Sequence, residues 1–189
     1  FANVSLTRLS TTLENKFGVK VSTVEHLLAA IYIAGIDNAT IEINNEEIPI
    51  MDGSAKDFLI EIKKVKLVDQ RKKRKYLKVL KKIELKDGNR KIFIEPNDYS
   101  LEVNFQLNYE NKVIGNQNNV IDFQKDRLDD VYSSRTFCLY EDIEKIKKLG
   151  LARGGSLENA IVVDEEKILN NNGLRNEKEF VNHKILDLA

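Results

Sequence analysis

The feature that most restricts this chain is its longest apolar run, Leu27 to Ile36, broken only by Gly35. The run is about half of the ~20 residues that a membrane-crossing helix needs, so it reads as a helix buried in a globular core. Ser22 followed by Glu25 fits a capping box at its start, and Gly35 fits its stop. No basic segment followed by an apolar signal core is visible, and the sequence opens on Phe1 rather than Met; a fragment of a longer cytoplasmic chain is the expectation.

A buried helix needs partners, and 189 residues can supply them as one ordinary domain or two small ones. At 42% hydrophobic and 32% charged, the chain is too apolar to be intrinsically disordered. Its 30 basic residues balance 30 acidic ones, so no net field draws nucleic acid or anionic lipid. The single cysteine, Cys138, has no internal disulfide partner, in keeping with a reducing compartment.

Along the chain, Ala39 to Ile43 and Ile48 to Met51 read as short extended pieces around an Asn44-Asn45 turn. Ser54 can cap a helix from about Ala55, with Asp57 at the box position and Phe58, Leu59 and Ile62 as its apolar stripe. Between Lys63 and Lys75 the composition shifts to eight basic residues against one acidic residue, Asp69. This is the candidate linker; a solvated connector explains it better than a nucleic-acid patch, because aromatics for stacking are absent until Tyr76. Beyond it, Leu77 to Leu85, Arg90 to Glu95 and Leu101 to Tyr109 suggest an antiparallel meander. Leu128 to Val131, Asp142 to Leu149 and Glu177 to Leu188 read as helical, and Ala160 to Val163 as a buried strand. The economical architecture is α+β: a first domain at 1–63, a basic linker at 64–76, and a second domain at 77–189, each a sheet packed on helices.

Chemistry has few candidates. His26 and His183 are the only histidines, and both sit beside carboxylates on predicted helices. His183 and Asp187, four apart, share one helical ridge. Glu25 and His26 are adjacent and diverge by about 100°, so they can divide roles but not chelate together. His26, His183 and Asp187 would give zinc three ligands and leave a position open, as in catalytic sites. On spacing alone, however, an i, i+4 His–Asp pair is more simply a surface pair worth ~0.2–0.5 kcal/mol. Thr136 could donate to an oxyanion and Lys184 add positive charge, but a turn hydroxyl and a solvated helix lysine are the simpler assignments. Gly154-Gly155-Ser156 allows a ligand close to the backbone, though such pairs are commonly turns, and it lacks the spacing of a phosphate loop.

Taken together, several blocks resemble the UDP-3-O-acyl-N-acetylglucosamine deacetylases of Gram-negative bacteria. They are Val21-Ser22-Thr23-Val24-Glu25-His26-Leu27-Leu28-Ala29-Ala30, Gly35-Ile36-Asp37-Asn38 and Glu47-Ile48-Pro49-Ile50-Met51-Asp52-Gly53-Ser54-Ala55, then Ser134-Arg135-Thr136-Phe137, Gly154-Gly155-Ser156, Ala160-Ile161-Val162-Val163-Asp164 and His183-Lys184-Ile185-Leu186-Asp187. They occur in the family's order across nearly the whole chain. The resemblance implies two similar two-layer α+β domains with the active site between them, and Zn2+ held by His26, His183 and Asp187. It implies Glu25 as general base, Thr136 as oxyanion donor and Lys184 as electrostatic aid. Phe137, Ile143, Gly155, Ser156 and Ala160 would line the substrate or its acyl passage, whereas Leu139 and Arg153 depart from the family pattern. The implied reaction removes the acetyl group from UDP-3-O-acyl-N-acetylglucosamine, the committed step of lipid A biosynthesis, in a cytoplasmic monomer with no nucleic-acid partner and no transmembrane segment. The family pattern also runs on past Asp187 to a histidine that protonates the leaving amine, and begins with strands ahead of Phe1; both are expected outside this sequence. The competing readings are a catalytically incomplete fragment that binds a metal or a partner, and a nucleic-acid-binding α+β module.

Overall fold

The computed structural model describes residues 3–189. The elements run β1 (Val4–Leu6), β2 (Thr12–Glu14), β3 (Lys20–Val21), α1 (Glu25–Ile33), α2 (Lys56–Lys64), β4 (Ile83–Asp87), β5 (Arg90–Ile94), β6 (Glu102–Asn108) and β7 (Asn116–Asp122). They continue with α3 (Asp129–Tyr132), β8 (Phe137–Leu139), α4 (Tyr140–Lys148), β9 (Ile161–Asp164), β10 (Lys167–Ile168) and α5 (Glu179–Leu186). The fold is α+β. β1, β2 and β3 form an antiparallel sheet, β4–β5 and β6–β7 are antiparallel hairpins, and β9 pairs parallel with β8 and antiparallel with β10.

The expected apolar helix is α1, and its face makes the core. Ala29 and Ala30 are fully buried with Ala55 and Leu59 of the α2 region, Val103 of β6, Val131 of α3, and Ile185 and Leu186 of α5. The small alanine side chains let α1 approach its neighbours closely. A second cluster joins Leu107, Ile114, Ile161, Val163, Phe180 and Val181, and Phe105 of β6 packs against both clusters. α5 therefore carries buried side chains into both: Ile185 and Leu186 into the first, Phe180 and Val181 into the second. In β6 the alternation of Val103, Phe105 and Leu107 with polar residues sets which face turns inward.

Several expectations are corrected. Ser22 forms no capping box: its hydroxyl donates to the Glu46 carbonyl at 3.1 Å, Val24 stands at the N-cap without a side-chain bond, and the Glu25 carboxylate accepts the Thr11 N–H at 3.0 Å. Long-range partners took both side chains. Gly35 does end α1, at φ 72°. Ala39 to Ile43 and Ile48 to Met51 form no regular strand; the region's strand-like feature is one parallel bridge, Ser22 to Glu47. Ala55 rather than Ser54 is the N-cap of α2, although the Ser54 hydroxyl accepts the Lys56 N–H at 3.2 Å. The meander is instead two separate hairpins, and Leu77 to Lys82 stays outside β4. β7 and β8 were not foreseen as strands.

Candidate metal centre

Two helices deliver the side chains that could hold a metal ion. His26 is the second residue of α1 and 3% exposed; His183 lies in the last turn of α5 and is 1% exposed. Asp187 follows one turn after His183. The Asp187 Oδ1 atom lies 3.6 Å from His183 Nε2 and 3.9 Å from His26 Nε2, and the three ligand atoms all fall within 4.8 Å of one another. Tetrahedral zinc with bonds of about 2.0–2.1 Å places its ligands about 3.3 Å apart, so a small inward movement closes this set on one ion. The imidazoles meet edge to face, with centroids 5.1 Å apart.

These distances are within ion-pair reach, but the site does not work as an ion pair. Burial, reinforced by neighbouring His183, pushes His26 down to about 4, and burial likewise lowers His183. Both imidazoles are therefore neutral near pH 7. Burial alone would raise Asp187, yet His183, Lys184 and His26 outweigh it and hold the carboxyl below its ordinary value. Among the described residues the Oδ1 atom of this ionised group is buried without a hydrogen-bond partner, as is His26 Nδ1. A lone buried carboxylate oxygen between two neutral imidazoles is costly unless a cation completes it. Two nitrogens and one carboxylate oxygen form a donor set suited to zinc, so the residues present fit a metal.

The surroundings fix this arrangement from the α5 side. The Nδ1 atom of His183 stands 3.0 Å from the Ser134 carbonyl. A carbonyl can only accept, so Nδ1 carries the proton and Nε2 presents its lone pair to the cluster. Lys184 Nζ donates to Asp187 Oδ2 at 3.1 Å and lies 5.4 Å from the centre of the Phe137 ring. On the α1 side, Thr23 enters the helix at φ 59°, a strained conformation for a β-branched residue, with its hydroxyl held by Glu47 at 2.9 Å. Glu25 is close enough that its charge partly offsets the effect of burial on His26.

Among the other expected site residues, Phe137 packs edge-on to Phe180 at 5.0 Å and to His183 at 6.5 Å. Thr136 is pinned by its backbone: its N–H donates to Gly53 O at 2.8 Å, and its carbonyl accepts the Ile161 N–H at 2.8 Å. Ile143 sits half-buried on α4; Gly155 closes one exposed turn and Ser156 opens the next, where its hydroxyl accepts the Glu158 N–H at 3.2 Å. Ala160 leads into β9. These four belong to the stretch beyond β8 rather than to the cluster.

Sequence reading passed over the residues that join the two histidine helices. Gly53, at φ 81°, leaves no room for a side chain, since a Cβ there would lie 1.9 Å from the Asn159 carbonyl oxygen. Asp52 accepts from Arg175 Nη1 at 2.8 Å, and the same guanidinium nitrogen donates to Ser133 O at 2.8 Å. Arg135, 6% exposed, is bound to the fully buried Glu179. The signals were present: Arg135 lies inside the Ser-Arg-Thr-Phe block, and Glu179 stands one helical turn before His183.

Architecture and donor set together define a candidate mononuclear metal centre of the open kind, with three protein ligands drawn from two helices. Residues 1–189 match the family described as UDP-3-O-acyl N-acetylglycosamine deacetylase (LpxC), and the chain belongs to that family. It is 43% identical over 182 residues to the UDP-3-O-acyl-N-acetylglucosamine deacetylase of Nautilia profundicola, covering 96% of this chain and 61% of that protein. It is 44% identical over 189 residues to the protein of the same name from Pseudomonas entomophila, covering 98% and 62% respectively. The corresponding Nitratiruptor protein is 41% identical over 186 residues, again covering 62% of its own length. The chain thus spans a little over three-fifths of the length of these curated relatives.

Proposed function

We propose that this chain provides the metal centre and attacking base of a zinc-dependent deacetylase acting on the acetamide of UDP-3-O-acyl-N-acetylglucosamine, the committed step of lipid A biosynthesis. The observation that carries the reading is the buried cluster of two neutral imidazoles and the unpartnered oxygen of Asp187, with Glu25 adjacent to His26. His26, His183 and Asp187 would hold Zn2+, which when bound supplies Lewis-acid polarisation of the amide carbonyl and of water.

The chain's own groups do the rest. Glu25 accepts the proton of the attacking water, the oxygen adds to the acetyl carbon, and the C–N bond breaks to give acetate and a glucosamine amine. The leaving nitrogen needs a proton, which Glu25 can pass on. Thr136 donates its hydroxyl to the developing oxyanion, and Lys184, anchored on Asp187, adds positive charge beside it. Phe137, Ile143, Gly155, Ser156 and Ala160 face the substrate or its fatty chain. Residues 1–63 and 77–189 act as two layered units joined by the 64–76 connector, the first contributing Glu25 and His26 and the second the remaining site residues. The working unit is a cytoplasmic monomer that takes no nucleic acid. Among the described residues no helix is long and apolar enough to cross a membrane.

The test is Glu25→Gln in the full-length protein. Metal stoichiometry by elemental analysis is expected to stay at the wild-type value while kcat falls by about 10²–10⁴, the range for loss of a positioned general base. Loss of metal together with activity would make Glu25 a ligand or structural residue. A wild-type protein that binds no zinc would overturn the centre itself.

A further inference from the structure

Glu179 is a fully buried carboxylate that the proposed reaction does not use, and it accepts four hydrogen bonds. Its Oε1 atom takes the Arg135 backbone N–H at 3.0 Å and Arg135 Nε at 2.8 Å; its Oε2 atom takes Arg135 Nη2 at 3.2 Å and the Arg175 backbone N–H at 2.5 Å. The Arg135 N–H belongs to the same peptide unit as the Ser134 carbonyl, and that carbonyl accepts the Nδ1–H of His183 at 3.0 Å. Carboxylate, peptide and imidazole thus form one line: Glu179 Oε1, the Ser134–Arg135 amide, His183, and finally Nε2 facing Asp187. Both ends of the line lie on α5, one helical turn apart, so the helix is clasped to the 134–135 peptide at two points.

We infer that Glu179 is a positioning residue for the metal centre, acting through the Ser134–Arg135 peptide to fix the tautomer and orientation of His183. Metal-binding histidines usually donate their second N–H to a carboxylate or carbonyl, which sets the tautomer and strengthens the ligand. Here a carboxylate reaches the imidazole through an intervening amide. An amide whose N–H is bound by a carboxylate is polarised along its length, and its oxygen becomes a better acceptor. Arg135 and the Arg175 amide hold Glu179 in place, leaving it no other hydrogen-bonding task. The packing alone does not require this line, because an apolar pair of similar volume could fill the same space.

The inference rests on the metal-centre reading, and two measurements on the full-length protein keep the two separable. The first is zinc affinity, by competition with a chromophoric chelator, for wild type, Glu179→Gln and a control of similar thermal destabilisation, Leu59→Ala in the core face of α2. Glu179→Gln is expected to weaken zinc binding by about tenfold or more, the range for loss of an outer partner, while Leu59→Ala stays within about threefold of wild type. Equal losses in the two variants, or an unchanged affinity in Glu179→Gln, would reduce Glu179 to a structural role and overturn the inference. The second needs no variant and decides the matter if Glu179→Gln does not fold. Nitrogen-15 NMR of the metal-free wild type should show His183 protonated at Nδ1, with that proton and the Arg135 amide proton exchanging slowly. Protonation at Nε2, or rapid exchange at the Arg135 amide, overturns it. Absence of zinc binding in wild type would overturn the proposed function and with it the role of Glu179 at a metal centre, whereas normal zinc binding together with either failure above would overturn the inference alone.

Discussion

The two histidine helices meet at one cluster but are held by different forces. α5 is tied down by buried polar bonds: Glu179 to Arg135 and Arg175, and His183 to Ser134. α1 is seated mainly by apolar contact through Ala29 and Ala30, with one polar bond at its start from the Thr11 N–H to Glu25, and its histidine leaves Nδ1 without a partner among the described residues. One candidate ligand is thus oriented by a hydrogen bond to its own ring, whereas the ring of the other has none from Nδ1 and keeps a nitrogen still to satisfy. The difference teaches that ligands equal in chemistry need not be equal in preorganisation, and that the cost of losing each will differ.

The sharpest way to break this comparison is to remove each histidine in turn. His26→Ala and His183→Ala are both expected to lose bound zinc, because two ligands rarely hold what three do. In the metal-free state they should part company. His183→Ala strands the buried Ser134 carbonyl and should be less stable than His26→Ala by about 1–3 kcal/mol, the penalty for an unsatisfied buried group. Elemental analysis and urea unfolding of both variants check this; equal stabilities would mean that the Ser134 bond anchors nothing.

A smaller effect concerns pH. Well above pH 6.5, the ordinary histidine value, both imidazoles are neutral in the folded and unfolded chains, and stability is indifferent to them. As the pH falls, the unfolded chain takes up its protons first, so metal-free protein should lose about 1.4 kcal/mol per pH unit for each histidine. For His26 this loss ends near pH 4, where the folded state protonates as well. Denaturant unfolding at pH 7, 6 and 5 should show a shallower slope for His26→Ala than for wild type. Parallel slopes would mean that His26 is solvated rather than buried neutral.

The smallest expected effect is at the connector. Arg74 reaches back to α1, donating to Gly35 O at 2.9 Å and to Asp37 Oδ2 at 2.9 Å, but it is exposed. Ion pairs of that kind add little, so Arg74→Ala should leave the unfolding midpoint and the zinc content at wild-type values. A clear drop in either would show that the polar contacts at the C-terminal end of α1 brace it as well.

How much of this was legible beforehand follows from the range of the forces involved. α1, α4, α5, β5 and β6 could be read because their apolar periodicity or alternation is local. β7 could not: Asn116, Gln117, Asn118 and Asn119 look like turn residues, yet Asn119 pairs with Phe105 and Gln117 with Leu107 across the hairpin, and cross-strand packing outweighed propensity. Ala39 to Ile43 failed the opposite way, alternating like a strand but finding no ladder partner.

The sequence by itself determined which atoms are available for chemistry: two histidines, an aspartate one turn after the second, a glutamate beside the first, and family blocks in a fixed order. Only the tertiary structure decided that they converge and in what state. His26 and Asp187 are far apart in the chain, and bringing them to 3.9 Å depends on alanines small enough for α1 to pack closely against its neighbours. The tautomer of His183 depends on a carbonyl 49 positions away, and the neutral imidazoles on burial that several elements create together. Charge state and orientation are properties of the surrounding medium and of long-range partners, and neither is written in the spacing of residues along a helix.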